Sequence, residues 1–127
     1  MDRYCKTFDL IGDIYAYSEK PEKLKKSRSV YLKGITECER HGRSERLIRI
    51  AIDYINLLLK MMRVCPNIFG FSSWEQQIDK EEKDIYDKAR ICTERVENKN
   101  LMQKLKQQHK DYLKNRKRMR KEHRHGN

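Results

Sequence analysis

The chain has 127 residues, with 30 lysines and arginines against 19 aspartates and glutamates, a net charge of +11. That length suits one domain, and with charged residues at 39% the aliphatic content is too low for every segment to join a core. The most apolar stretch, Leu47 to Val64, carries Arg49, Asp53, Lys60 and Arg63, so no transmembrane span is expected.

The start, Met1-Asp2-Arg3-Tyr4-Cys5-Lys6, is charged and reads as no secretory signal. Cys5, Cys38, Cys65 and Cys92 are widely spaced, which argues against a disulfide scaffold and against paired zinc ligands. Cys38 and His41 stand three apart without a second ligand pair, so neither a metal nor a cofactor is expected. All four thiols fall at apolar positions of helical patterns. They read as buried and reduced, which fits an intracellular setting, cytoplasm or nucleus. With five Gly, two Pro and no long alternating stretch, the fold class is all-α: about four helices in a small bundle, ending in a long helix and a basic, disordered tail.

The first helix is expected over about Asp2 to Tyr17. Tyr4, Phe8, Ile11 and Tyr15 share a face, widened by Leu10, Ile14 and Tyr17, and this reads as its core side. Ser18 offers an N-cap and Pro21 an early position for a second helix, Pro21 to Glu39. There Leu24, Tyr31, Ile35 and Cys38 form the apolar stripe, and Lys23, Lys26, Lys33 and Arg40 the opposite one. Gly34 would permit a close helix approach, and Gly42 suits a left-handed C′ position.

Ser44 reads as the N-cap of a third helix that Pro66 stops. It is apolar on two sides: Leu47, Ile50, Ala51, Tyr54, Leu58, Met61 and Cys65 on one, Ile48, Ile52, Ile55, Leu59 and Met62 on the other. Such a helix is either central or an oligomer contact, and a homo-oligomer through residues 47–65 is expected. Its remaining strip, Arg46, Arg49, Asp53, Asn56, Lys60 and Arg63, would line about 25 Å.

Ile68, Phe69 and Phe71 should plug the end of the bundle. Ser72 and Ser73, with Glu75 and Gln76 three residues on, form a capping-box pattern. The fourth helix could then run from Trp74 to about Arg120, with Trp74, Ile78, Ile85, Ala89, Cys92 and Val96 on its core face. Asn98-Lys99-Asn100 weakens it, and beyond lie only Leu101, Leu105, Tyr112 and Leu113, a half expected to protrude or fray. The expected division is therefore a bundle domain, 1–98, and a basic extension, 99–127.

The charge is unevenly spread. Residues 20–63 hold 12 basic and five acidic groups, net +7, and residues 99–127 hold 11 and two, net +9. Residues 1–19 are net −2 and 64–98 net −3. The tail basics Lys114, Arg116, Lys117, Arg118, Arg120 and Lys121 suit a nuclear-localisation signal or a nonspecific nucleic-acid arm. The +7 zone lies on ordered helices. If the second helix packs beside the third, Lys23, Lys26, Lys33, Arg40 and Arg43 would extend Arg46, Arg49, Asn56, Lys60 and Arg63 into one basic face. A rigid basic face without a base-reading loop suits the backbone of an A-form duplex.

No Gly-rich phosphate loop or nucleophile constellation stands out, so an enzyme is not expected. Asp79, Glu81, Glu82, Asp84 and Asp87 read as a solvated face, helped by Lys80–Asp84 and Lys83–Asp87 pairs. The pattern resembles, in architecture only, small helical dimers that coat double-stranded RNA, as some viral suppressors of RNA silencing do. The expected function is sequence-independent binding of nucleic acid, RNA favoured over DNA, with a role in countering RNA-based defence. The alternative is a helical interaction module with a protein partner, its tail serving nuclear localisation.

Overall fold

A computed structural model describes residues 2–69 and 72–125, with side chains at all of these except 68, 69, 72–75 and 123–125. The described chain is all α-helical. The helices are α1 (Asp2–Ala16), α2 (Pro21–Arg40), α3 (Ser44–Val64), α4 (Ser72–Thr93) and α5 (Lys99–His125), with a 3-10 turn at Pro66–Phe69. The expected aromatic plug at Ile68, Phe69 and Phe71, the capping box at Ser72 and Ser73, and the Trp74 side chain lie outside what is described.

Helix α3 is the axis of the molecule: α1, α2, α4 and α5 all pack against it. Leu47, Ile48, Ile50, Ala51, Tyr54, Ile55, Leu57, Leu58 and Met61 are each at most 2% exposed. Both apolar sides of this helix are thus covered within one chain, which removes the reason for expecting an oligomer contact there. Gly42 takes a left-handed φ of 66°, the backbone state that glycine adopts without a steric penalty. Two expected caps differ. The N-cap positions are Lys20 and Arg43 rather than Ser18 and Ser44, and neither makes a side-chain capping bond.

The expected single helix from Trp74 to Arg120 is two. Glu94, Arg95 and Val96 close α4 with bonds of 3.0–3.4 Å to carbonyls three residues back, and the Asn98 side chain accepts from the Leu101 N–H at 3.2 Å. Asparagine disfavours a helix interior because its amide competes for backbone groups, and the same property makes it a good N-cap. The break turns the chain round. Contacts between Asp79 and Arg116, and between Glu82 and His109, set α5 antiparallel to α4. Leu101, Leu105 and Tyr112 enter the core, so this half does not protrude over those turns.

Helix α1 is rotated from the expected orientation. It buries Cys5, Asp9 and Gly12, while Tyr4, Leu10, Ile11, Ile14 and Tyr17 are 40–90% exposed. The close contact with α2 explains this. Tyr31 lies so near Gly12 that a Cβ there would stand 2.2 Å from its ring, and Ser27 Oγ donates to the Gly12 carbonyl at 2.7 Å. Small residues on the inner side of α1 let the helices approach more closely than a row of large ones would.

Candidate nucleic-acid interface

The 27 residues of α5 divide sharply by face. Leu101, Leu105, Tyr112 and Arg116 point inward and are at most 6% exposed. Lys99, Lys106, Lys110, Lys114, Lys117 and Lys121 are all exposed. Their spacings of seven, four, four, three and four put them on one side of the helix. The stripe runs about 33 Å at a rise of 1.5 Å per residue, close to one duplex turn. None of the six is ion-paired to a described residue. Lys104 and Arg118 flank the stripe, Arg118 with a long 3.9 Å pair to Glu122.

What holds this helix in place is a polar joint with α4. Arg116 Nε donates to Asp79 Oδ1 at 3.0 Å and its Nη2 to Oδ2 at 3.3 Å. Arg120 Nη2 reaches the same carboxylate at 2.6 Å, and the Tyr112 hydroxyl donates to it at 2.5 Å. Burial works to raise the Asp79 pKa. The hydrogen bonds from Arg116 and Tyr112 and the charges of both arginines overcome this and hold it below the usual carboxylate value. One turn away, Glu82 is 1% exposed and accepts from His109 Nδ1 at 2.7 Å, with the Tyr86 ring stacked on the imidazole.

The other expected site residues scatter. Arg116 is 2% exposed and belongs to the joint, not to the surface. Arg46 is pinned under α1 by Asp9 at 3.4 Å and Asp2 at 3.5 Å. Lys60 donates to the Ala16 carbonyl at 2.6 Å and pairs with Glu19 at 3.6 Å. These two therefore tie α1 to α3. Arg49, Asn56 and Arg63 remain exposed on α3, Arg49 being paired with Glu45 at 3.0 Å. On α2, Lys26, Lys33 and Arg40 are exposed at intervals of seven. Lys23 is half-buried, and both Lys23 and Lys26 lie within 6 Å of the Tyr15 ring centre. Arg43 is exposed at the turn between α2 and α3.

The expected continuous face of the second and third helices does not form. The α3 side that meets α2 carries Ile50, beside Gly34, and the next side, with Arg46 and Lys60, meets α1. Helix α1 thus separates the α2 strip from Arg49, Asn56 and Arg63. Lys114, Lys117 and Lys121 instead share one helix, α5, with Lys99, Lys106 and Lys110. The signal for this lay in the sequence: the lysine spacing in the last segment matches a helix as well as the apolar spacing does.

The acidic run of α4 also differs from a solvated face. Glu81 takes a bidentate pair from Arg28, Nε at 2.8 Å and Nη2 at 2.7 Å, and a hydrogen bond from the Tyr54 hydroxyl, joining α2, α3 and α4. Between α1 and α3, Asp9, Asp13 and Asp53 each bring one oxygen within 4.8 Å of the others. Three such oxygens could chelate a cation. Their charge is already offset by Arg46 and by a proton on Asp53, whose pKa burial and the neighbouring Asp9 push up to about 9. The Tyr31 hydroxyl donates to Asp13 at 2.5 Å. Cys38 is buried near Cys5, and burial raises its thiol pKa to about 12, so it is a poor nucleophile. No family model, curated protein or solved structure matches this chain.

Proposed function

We propose that the protein is a non-enzymatic, sequence-independent binder of nucleic-acid duplexes, RNA in preference to DNA, and that the lysine stripe of α5 is its contact surface. One observation carries the reading: six exposed lysines without a carboxylate partner among the described residues, on one side of a helix anchored by a buried arginine. An ion-paired lysine has to give up a partner before it meets a phosphate, whereas these are free to release counterions directly. Lysine contacts to phosphates fix position and carry no base information, so sequence independence follows. The preference for RNA rests on shape, since a basic helix face without a base-reading loop suits A-form backbone contacts. Arg118 at its flank, and the separate α2 strip of Lys26, Lys33 and Arg40, add long-range attraction for the same polyanion. Coating a duplex would shield it from proteins that process RNA, in keeping with a role against RNA-based defence in the cytoplasm or nucleus. No described helix is long and apolar enough to cross a membrane.

The test is binding of the full chain to an RNA duplex, the matching DNA duplex and each single strand. The combined variant Lys110→Glu, Lys114→Glu and Lys117→Glu should lose binding at least about 100-fold while keeping its helicity, since three phosphate contacts become three repulsions. Undiminished binding by the triple variant would remove α5 as the contact surface.

A further inference from the structure

The outer side of α1 carries the largest apolar exposure among the described residues. Tyr17 is 90% exposed, Ile14 72%, Leu10 52%, Tyr4 47% and Ile11 40%. Leu10, Ile14 and Tyr17 lie on the side away from the buried line of Cys5, Asp9 and Gly12, with Ile11 and Tyr4 at one edge, Tyr4 standing edge-on to Phe8 and His41. Scattered single hydrophobics on a surface are ordinary, but a stripe running the length of one helix is the mark of an interaction surface.

We infer that this stripe is a homodimer interface, in which α1 packs antiparallel against α1 of a second copy about a two-fold axis near Leu10 and Ile11. Charge is the first argument. The molecule is +11, and a second copy is repelled from its α2 and α5 sides, whereas residues 1–19 are net −2. The charges beside the stripe are also self-complementary. Arg3 and Lys6 stand toward the N-terminal end and Asp13 toward the other, all three exposed, Asp13 also accepting from the Tyr31 hydroxyl. Lys6 and Asp13 are seven residues apart, so they share one flank of the helix. In an antiparallel pair like flanks meet, which sets Lys6 of each copy beside Asp13 of the other, twice over. A parallel pair would lose this pairing, because the Lys6–Asp13 flank of one copy would then meet the opposite flank of the other. Area is the second argument. Complete burial of these five side chains in both copies would remove on the order of 1,200 Å² in total, the lower end of what a specific interface needs. This inference uses none of the lysines of α5 and stands apart from the nucleic-acid reading.

Sedimentation velocity of the full chain across the micromolar range tests it. The wild type should sediment as a dimer. Ile14→Glu should raise the dimer dissociation constant at least about 30-fold, the effect of losing one hot-spot side chain. Tyr17→Glu should act alike, and Lys6→Glu should weaken the dimer more at low salt than at high salt. All three positions are exposed, so far-UV circular dichroism should not change. A wild type that stays monomeric throughout overturns the inference, as does a dimer indifferent to Ile14→Glu and Tyr17→Glu. A monomer that binds anionic vesicles through the same residues would reassign the stripe to a lipid surface.

Discussion

At the scale of single residues, charge here serves two unlike purposes. Arg116 and Lys114 are two positions apart on α5, yet the first is 2% exposed against Asp79 and the second faces water. Arg116→Ala removes a buried side chain and two of the charged hydrogen bonds on Asp79, which keeps Arg120 and Tyr112, so it should cost about 2 kcal/mol in urea denaturation. Lys114→Ala should change stability by less than about 0.5 kcal/mol and affect only binding. Asp53 supplies a pH signature. It keeps its proton in the folded protein up to about pH 9, whereas an aspartate in the unfolded chain loses it near pH 4. Its contribution is fully present below about pH 4, and rising pH between these values favours unfolding. Asparagine mimics the protonated carboxyl, so Asp53→Asn should raise Tm by several degrees at pH 8 and leave it nearly unchanged at pH 4. Circular dichroism melts at the two pH values distinguish this from a uniform effect. Asp79 acts in the opposite direction: its lowered pKa contributes stability that is lost as pH falls through the acid range.

Helices were easier to read than their orientations. The two apolar stripes of α3 marked it as central, and the apolar positions of α2, Leu24, Tyr31, Ile35 and Cys38, are its buried ones. On α1 hydrophobicity misled. Counting large apolar residues picks Tyr4 and Ile11 as core, while the contact is set by what can come close, namely Cys5, Gly12 and the backbone accepting from Ser27. Gly12→Ala should therefore destabilise by about 2–3 kcal/mol, since the new methyl would overlap a Tyr31 ring that Asp13 holds in place. Thermal melts beside Gly42→Ala, which has open space and only the strain of a left-handed φ, would separate steric from conformational cost. The turn after α4 was half legible. Asn98 was visible as a weak point, but its capping role depends on the chain reversing, and that reversal follows from α5 finding the uncovered side of α3. The buried joints at Glu81 and Asp79 were not legible, because a carboxylate on a polar helix face looks the same whether water or an arginine 37 residues away answers it.

For the molecule as a whole, the arrangement of charge matters more than its sum. Arg46, Lys60 and Arg116 hold helices together, so not all of the 30 lysines and arginines are open to a ligand. What remains is concentrated on α5 and, separately, on α2, with the near-neutral α1 between α2 and the exposed α3 strip. A two-fold pairing through α1 would leave both α5 stripes free. The salt dependence of duplex binding decides whether the α5 lysines meet phosphates one for one. Each lost phosphate contact should reduce the slope of log K against log salt by about 1. Changing Lys110, Lys114 and Lys117 together to glutamine should make that slope shallower by about 3 for RNA and DNA duplexes alike. A slope that stays at its wild-type value would show that the phosphates are held elsewhere.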